Sequence, residues 1–206
     1  MLSLTALAAT AAERVDVGVF APGSLTEWES RSFEGKTDYR LSGDGESRVL
    51  EAACDGTASA IARRVPVDLK ATPVLHWQWR VDGVHEGLDE RSKAGDDFAA
   101  RVYVIRDGGL LKWRTRAINY VWAGSSEAGQ HWPNPFTDQA MMVAVQAGPP
   151  DDTGAWVSES RNVRADFERF YDLDLDTVDA VAIMTDCDNA GGQAAAAYRN
   201  LYFAPE

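Results

Sequence analysis

The chain predicts an all-β fold, an antiparallel β-sandwich carrying one short helix. Three observations predict it. Short runs rich in β-branched and aromatic residues recur along the chain, clusters of Gly, Asp and Pro separate them, and only one stretch has a helical period. The clearest separators are Gly43-Asp44-Gly45, Asp107-Gly108-Gly109 and Gly148-Pro149-Pro150. A length of 206 residues suits one such unit, because sandwiches often exceed ~200 residues undivided. No repeat, linker or low-complexity tract breaks the chain, so residues 13–206 read as one domain.

Taken in order, strands are expected at Val15–Phe20, Trp28–Phe33, Tyr39–Leu41, Arg48–Ala53, Ala58–Val65 and Val74–Val81. They continue at Ala99–Arg106, Arg114–Trp122, Ala140–Ala147, Ala155–Ser160, Val178–Thr185 and Ala195–Phe203. The helix is placed after Asn162, a good N-cap, with Val163, Phe167 and Phe170 at the spacing that docks one face on a sheet. Seven Trp, seven Phe and six Tyr supply the volume of the core.

The formal charge is −12, and no Lys/Arg cluster in the sequence is dense enough to offset repulsion from DNA, RNA or anionic lipid. Nucleic acid is therefore excluded as a partner. Residues 1–12 read as a signal-peptide remnant: Leu2 to Ala8 is apolar and Ala9-Thr10-Ala11 has small residues at the cleavage spacing, although no Lys or Arg precedes the run. A periplasmic or secreted location follows from that reading, and no other apolar run reaches the ~20 residues of a membrane span. Cys54 and Cys187 sit near the ends of predicted strands. They can pair in an oxidising compartment or stay as two buried thiols, and they lack zinc or redox spacing.

Period-2 patterning carries the functional argument. Leu75, Trp77, Trp79 and Val81 share one face of their strand, and His76, Gln78 and Arg80 share the other. Arg101 and Tyr103 point away from Val102 and Val104, Asn119 and Gln146 sit in otherwise apolar strands, and Glu159 and Arg161 alternate with Trp156 and Ser158. Amides and Arg have fixed donor geometry suited to hydroxyls and carboxylates. A plain solvated outer face is the competing reading. The loop Gln130-His131-Trp132-Pro133-Asn134-Pro135-Phe136 is expected to hold an aromatic platform at the sandwich rim, or else to fold its rings inward.

Three stretches carry a resemblance: Trp77-Gln-Trp-Arg-Val, Gly95-Asp-Asp-Phe-Ala-Ala-Arg-Val-Tyr-Val and Ala182-Ile-Met-Thr-Asp-Cys-Asp-Asn-Ala-Gly. With Ile118-Asn-Tyr-Val-Trp and Glu159-Ser-Arg-Asn-Val, they resemble an uncharacterised bacterial domain-of-unknown-function family of exported β-sandwich proteins. That resemblance implies a fold and a compartment and no activity. The layout is similar in turn to galactose-binding-like jelly rolls, the architecture of many carbohydrate-binding modules, which as an analogy of fold cannot assign function. Cys187 and Ala190 depart from the small polar residues expected in the acidic loop.

Two acidic constellations stand out. Asp96-Asp97 precedes a strand, where adjacent carboxylates can bind a cation, cap backbone N–H groups or orient an Arg; a structural pairing with Arg101 or Arg80 is the leading expectation. Asp186, Asp188 and Asn189 form part of a calcium-like loop, with no oxygen side chain at its fifth position and Ala197 at its twelfth, so an EF-hand is excluded and only a simpler structural calcium site or a tight turn is left. The leading expectation is a non-catalytic module binding a glycan or other polar envelope ligand through Arg80, Arg101, Tyr103, Asn119, Trp122, Trp132 and Arg161. One alternative is a carbohydrate-active hydrolase or lyase using the acidic set Asp96, Asp97, Glu159 and Asp186. Another is a structural envelope interaction protein.

Overall fold

In the computed structural model, which describes residues 14–206, thirteen strands and one α-helix form; the twelve expected strands and the helix appear in the expected order, with one further strand among them. They are β1 (Val15–Gly18), β2 (Glu29–Glu34), β3 (Asp38–Ser42), β4 (Val49–Asp55), β5 (Ala58–Asp68), β6 (Val74–Val81) and β7 (Arg101–Arg106). The remainder are β8 (Arg116–Ala123), β9 (His131–Pro133), β10 (Ala140–Ala147), β11 (Val157–Asn162), α1 (Val163–Tyr171), β12 (Thr177–Asp186) and β13 (Gln193–Ala204). The proposed signal segment 1–12 lies outside the described residues. No helix among the described residues is long and apolar enough to cross a membrane.

The strands make two sheets. One runs β11-β6-β13-β4-β3, with β1 also paired to β13; the other runs β2-β5-β12-β7-β8-β10-β9. Alternation in β6 sends Leu75, Trp77, Trp79 and Val81 into the space between the sheets, where they meet Val102, Val104, Ile118, Tyr120, Trp122 and Ile183 of the other sheet. Trp77 stacks on Tyr120 with ring centroids 5.4 Å apart, joining the two layers through one aromatic pair. Helix α1 starts where expected: the Asn162 side chain accepts the Ala165 N–H at 2.9 Å, and Val163 and Phe167 are buried in the same core.

Two features depart from the expectation. The sheets are not wholly antiparallel, since β10 pairs parallel with β8. Residues 124–139 cross over instead of turning back, and β9, absent from the sequence reading, pairs antiparallel on the far side of β10. The cysteines are also settled: Cys54 and Cys187 form a disulfide. It ties β4 of one sheet to the residue following β12 of the other, closing a chain separation of 133 residues.

Candidate functional site

The fold splits the polar residues singled out by patterning into two sets. His76, Gln78 and Arg80 lie on the outer face of the sheet containing β6; Arg101, Tyr103 and Asn119 lie on the outer face of the sheet containing β7 and β8. They do not converge in one concavity. Gln78 is occupied by its neighbours, accepting from Arg199 at 2.7 Å and Asn200 at 3.0 Å and donating to Ser158 at 2.8 Å. Arg80 lies over the Trp156 ring, 5.3 Å from its centroid.

On the other sheet, a buried ionic brace underlies a cleft. Arg101 begins β7 and is 1% exposed. Its Nε donates to Asp186 at 2.7 Å, its Nη2 to the second Asp186 oxygen and to the Asp96 carbonyl, and its Nη1 reaches both Asp96 carboxylate oxygens at 3.4 Å. Its guanidinium also covers the Phe98 ring, 4.5 Å from the centroid. Burial opposes the charge on Arg101, but Asp186 and Asp96 hold its pKa well above the ordinary value. Burial pushes the Asp186 carboxyl up to about 7, against the downward pull of Arg101. Asp97 braces the facing loop by accepting from the Asn189 N–H, the Asn189 amide and the Ala190 N–H at 3.2, 3.1 and 2.7 Å. The Asp–Arg pairing expected of the Asp96-Asp97 pair is thus made by Asp96 with Arg101.

Above this brace lies a cleft of about 540 Å³. Tyr103, Met184 and Ala58 contribute its sheet wall; Asn134, Phe136, Thr137 and Gln139 come from the loop after β9; Arg31, Phe33 and Glu34 come from the edge strand β2; Asp188 and Asn189 come from the turn after β12. Phe33 and Phe136 are 56% and 55% exposed, an unusual state for large apolar rings, and both border the cleft. Burial pushes the Tyr103 hydroxyl up to about 12, so at neutral pH it is protonated and can donate a hydrogen bond. Asn134 is fixed by donating to Asp96 at 3.1 Å.

Several expected contacts lie elsewhere. Trp122 faces the inter-sheet core and donates to the Gly148 carbonyl at 2.9 Å, leaving no ring face for a ligand. Trp132 is buried beside Phe98, its indole N–H held by the Glu90 carbonyl at 3.0 Å, so the rim ring of that loop is Phe136 instead. Asn119 is fully buried and donates to the Met142 sulfur at 3.2 Å. Arg161 docks the helix, pairing with Asp166 at 2.5 and 2.9 Å.

The acidic set divides in the same way. Asp96, Asp97 and Asp186 adjoin the cleft, whereas Glu159 on β11 accepts from Gln146 at 2.7 Å and Trp79 at 3.3 Å at the sheet edges, where burial raises its pKa. A two-carboxylate arrangement that includes Glu159 does not form. Asp97, Asp186 and Asp188 each bring an oxygen within 4.8 Å of the others, a hard-cation donor set of the calcium type. Arg101 and backbone N–H groups already occupy Asp97 and Asp186, and the Asn189 amide donates to Asp188 at 2.9 Å, so a cation would compete with donors in place.

Sequence reading missed Phe33, Arg31, Glu34, Thr137 and Gln139. A signal existed for the first: Phe33 is the lone apolar side chain in Glu29-Ser-Arg-Ser-Phe-Glu, a strand exposed at every position.

The model of the family described as protein of unknown function (DUF3047) matches residues 26–202. The chain belongs to that family. Its β-sandwich is similar in fold to solved carbohydrate-binding modules. A family 11 module from Clostridium thermocellum, solved with a β-1,3-1,4-mixed-linked tetrasaccharide, aligns at 12% identity and TM-score 0.50, covering 95% of this chain and 97% of that one. A family 30 module of a cellulosomal cellulase of Clostridium thermocellum aligns at 9% identity and TM-score 0.51, covering 87% and 92%. At such identities the likeness is one of fold. No curated protein matches the chain.

Proposed function

We propose that this DUF3047 protein is an exported glycan-binding module whose ligand lies in the cleft over β7 and β12. The observation that carries the reading is the pair of half-exposed rings, Phe33 and Phe136, bordering a cleft that also presents amides, hydroxyls and carboxylates. Aromatic faces pack on sugar C–H surfaces, while Asn134, Gln139, Thr137 and Tyr103 supply hydrogen bonds to hydroxyls. The volume of about 540 Å³ falls in the range of small-ligand sites. Beneath it, the Arg101 brace holds the floor rigid, which limits the ordering cost of binding. The Cys54–Cys187 bond agrees with export, since such bonds persist in oxidising compartments.

The family 11 module makes β-linked glucans the first ligands to try. Affinity electrophoresis through gels containing mixed-linkage β-glucan, other neutral polysaccharides or acidic ones tests the proposal. Retardation by at least one polymer is expected, with Phe33→Ala and Phe136→Ala each weakening it by about three- to tenfold, the worth of an aromatic contact. Unretarded migration in every gel overturns it.

A further inference from the structure

The turn joining β7 to β8 carries a second surface, far along both strands from the Arg101 end. Leu110 is 99% exposed and Trp113 is 65% exposed, the two highest values among the large apolar residues left in water. Lys112 and Arg114 are exposed beside them, and Arg116 follows at the start of β8. Arg114 makes no ion pair among the described residues. Arg64 and Arg106 reach the same turn from below, pairing with Asp107 at 3.5 Å and Asp179 at 3.0 Å. These five cations outnumber Asp107 and Asp179, which pair within the turn, and Asp138, which acts on Tyr171 together with Arg116, so the turn is locally positive in a chain whose formal charge is −12.

The turn is held in shape. Asp179 accepts the Asp107 N–H at 2.7 Å, the Thr115 hydroxyl accepts the Gly108 N–H at 3.1 Å, and Arg116 donates to the Trp113 and Thr115 carbonyls at 2.8 Å. Gly108 is packed so closely that a Cβ there would lie 2.3 Å from the Leu111 carbonyl oxygen. Such bracing presents Leu110 and Trp113 outward as fixed features. Trp and Leu flanked by Lys and Arg are the residue types that settle at a membrane–water interface. The sequence shows no Lys/Arg cluster dense enough to offset repulsion from anionic lipid, but folding brings Arg64 and Arg106 beside Lys112, Arg114 and Arg116, and charges beyond about 10 Å are screened at moderate salt, so an approaching surface meets these local cations. We propose that this turn docks the protein peripherally on an anionic lipid bilayer. Its neighbour is the cleft: the Gln139 side chain, which lines the cleft, also donates to the Lys112 carbonyl at 3.4 Å.

Co-sedimentation of the full chain with phosphatidylglycerol/phosphatidylcholine vesicles, and with phosphatidylcholine alone, tests this at low and moderate salt. The expected result is binding to the anionic vesicles that weakens with salt and falls about tenfold in Leu110→Ser/Trp113→Ser. Arg114→Glu should lose about fivefold or more, since one cation near an anionic surface is worth about that factor. Each substituted side chain is exposed, and an unchanged melting temperature will show that the variants fold. No sedimentation with anionic vesicles at low salt, equal binding to both vesicle types, or variants that bind like the parent would overturn the proposal. So would Trp113-dependent dimerisation without lipid in analytical ultracentrifugation, which would assign the turn to a second copy of the chain.

Discussion

Replacing Arg101 with Met is the most informative perturbation of the floor of the cleft. Arg101 is 1% exposed and serves two carboxylates, Asp186 and Asp96, while filling space against the Phe98 ring. Met keeps much of the volume, so the loss is chiefly electrostatic. Removing one partner of a buried pair costs about 3–5 kcal/mol because the other charge stays behind. For a domain of this size that corresponds to about 6–20 °C in melting temperature. The deficit should depend on pH, and its sign follows from Asp186. Its folded pKa already stands at about 7 through burial, and losing Arg101 removes the groups that lower it. A carboxyl whose folded pKa exceeds the unfolded value contributes most below the unfolded pKa and loses that contribution as pH rises through the folded one. The Arg101→Met deficit should therefore be smaller at pH 5 than at pH 8. Thermal unfolding followed by circular dichroism at both pH values measures it, with Asp186→Asn and the double variant closing a cycle. A loss under 1 kcal/mol, or a deficit that grows as pH falls, would refute the brace.

Other outcomes follow from the same structure. Reduction of Cys54–Cys187 should lower the melting temperature, with a loop-entropy limit of about 5 kcal/mol for a separation of 133 residues; thiol titration of the unreduced, denatured protein should find no free cysteine. Burial raises the pKa of Tyr39, Tyr103, Tyr120, Tyr171 and Tyr198, so ultraviolet titration should show most of the six tyrosines still protonated above pH ~10 in the folded state. Because the unfolded chain releases those protons first, stability should fall as pH climbs through the unfolded value toward about 12, where Tyr103 titrates. Glu90→Gln should destabilise the cleft loop by about 1–3 kcal/mol, the cost of disturbing a buried acceptor, because its carboxylate takes the N–H groups of Gly124, Ser125 and Ser126 at 2.6, 3.1 and 2.9 Å; hydrogen exchange at those amides reads it.

Strands with one face in the core were legible because alternation has a single period. The ends of β6 and β10 coincide with the predicted runs, and Asn162 caps the helix as its chemistry requires. Period-2 patterning states that a side chain points away from the core without stating which sheet carries it, so His76 and Arg101 looked alike yet lie on opposite outer faces. The cleft was legible only in part. Arg101, Tyr103, Asp96, Asp186, Asp188 and Asn189 were found from their strands and turns. Trp132 misled because its burial depends on a long-range bond to the Glu90 carbonyl, and Glu90 itself, 2% exposed, hides in a run of charges. Phe33 joins the cleft only through the pairing of β2 with β5, a contact no local pattern encodes.

Backbone amide shifts recorded by NMR during titration with a retained oligosaccharide give the most direct test of where ligand sits. Shifts concentrated at Phe33, Asn134, Phe136, Thr137 and Asp188 are the predicted result. Shifts confined to His76, Gln78 and Arg80 on the opposite face would contradict it.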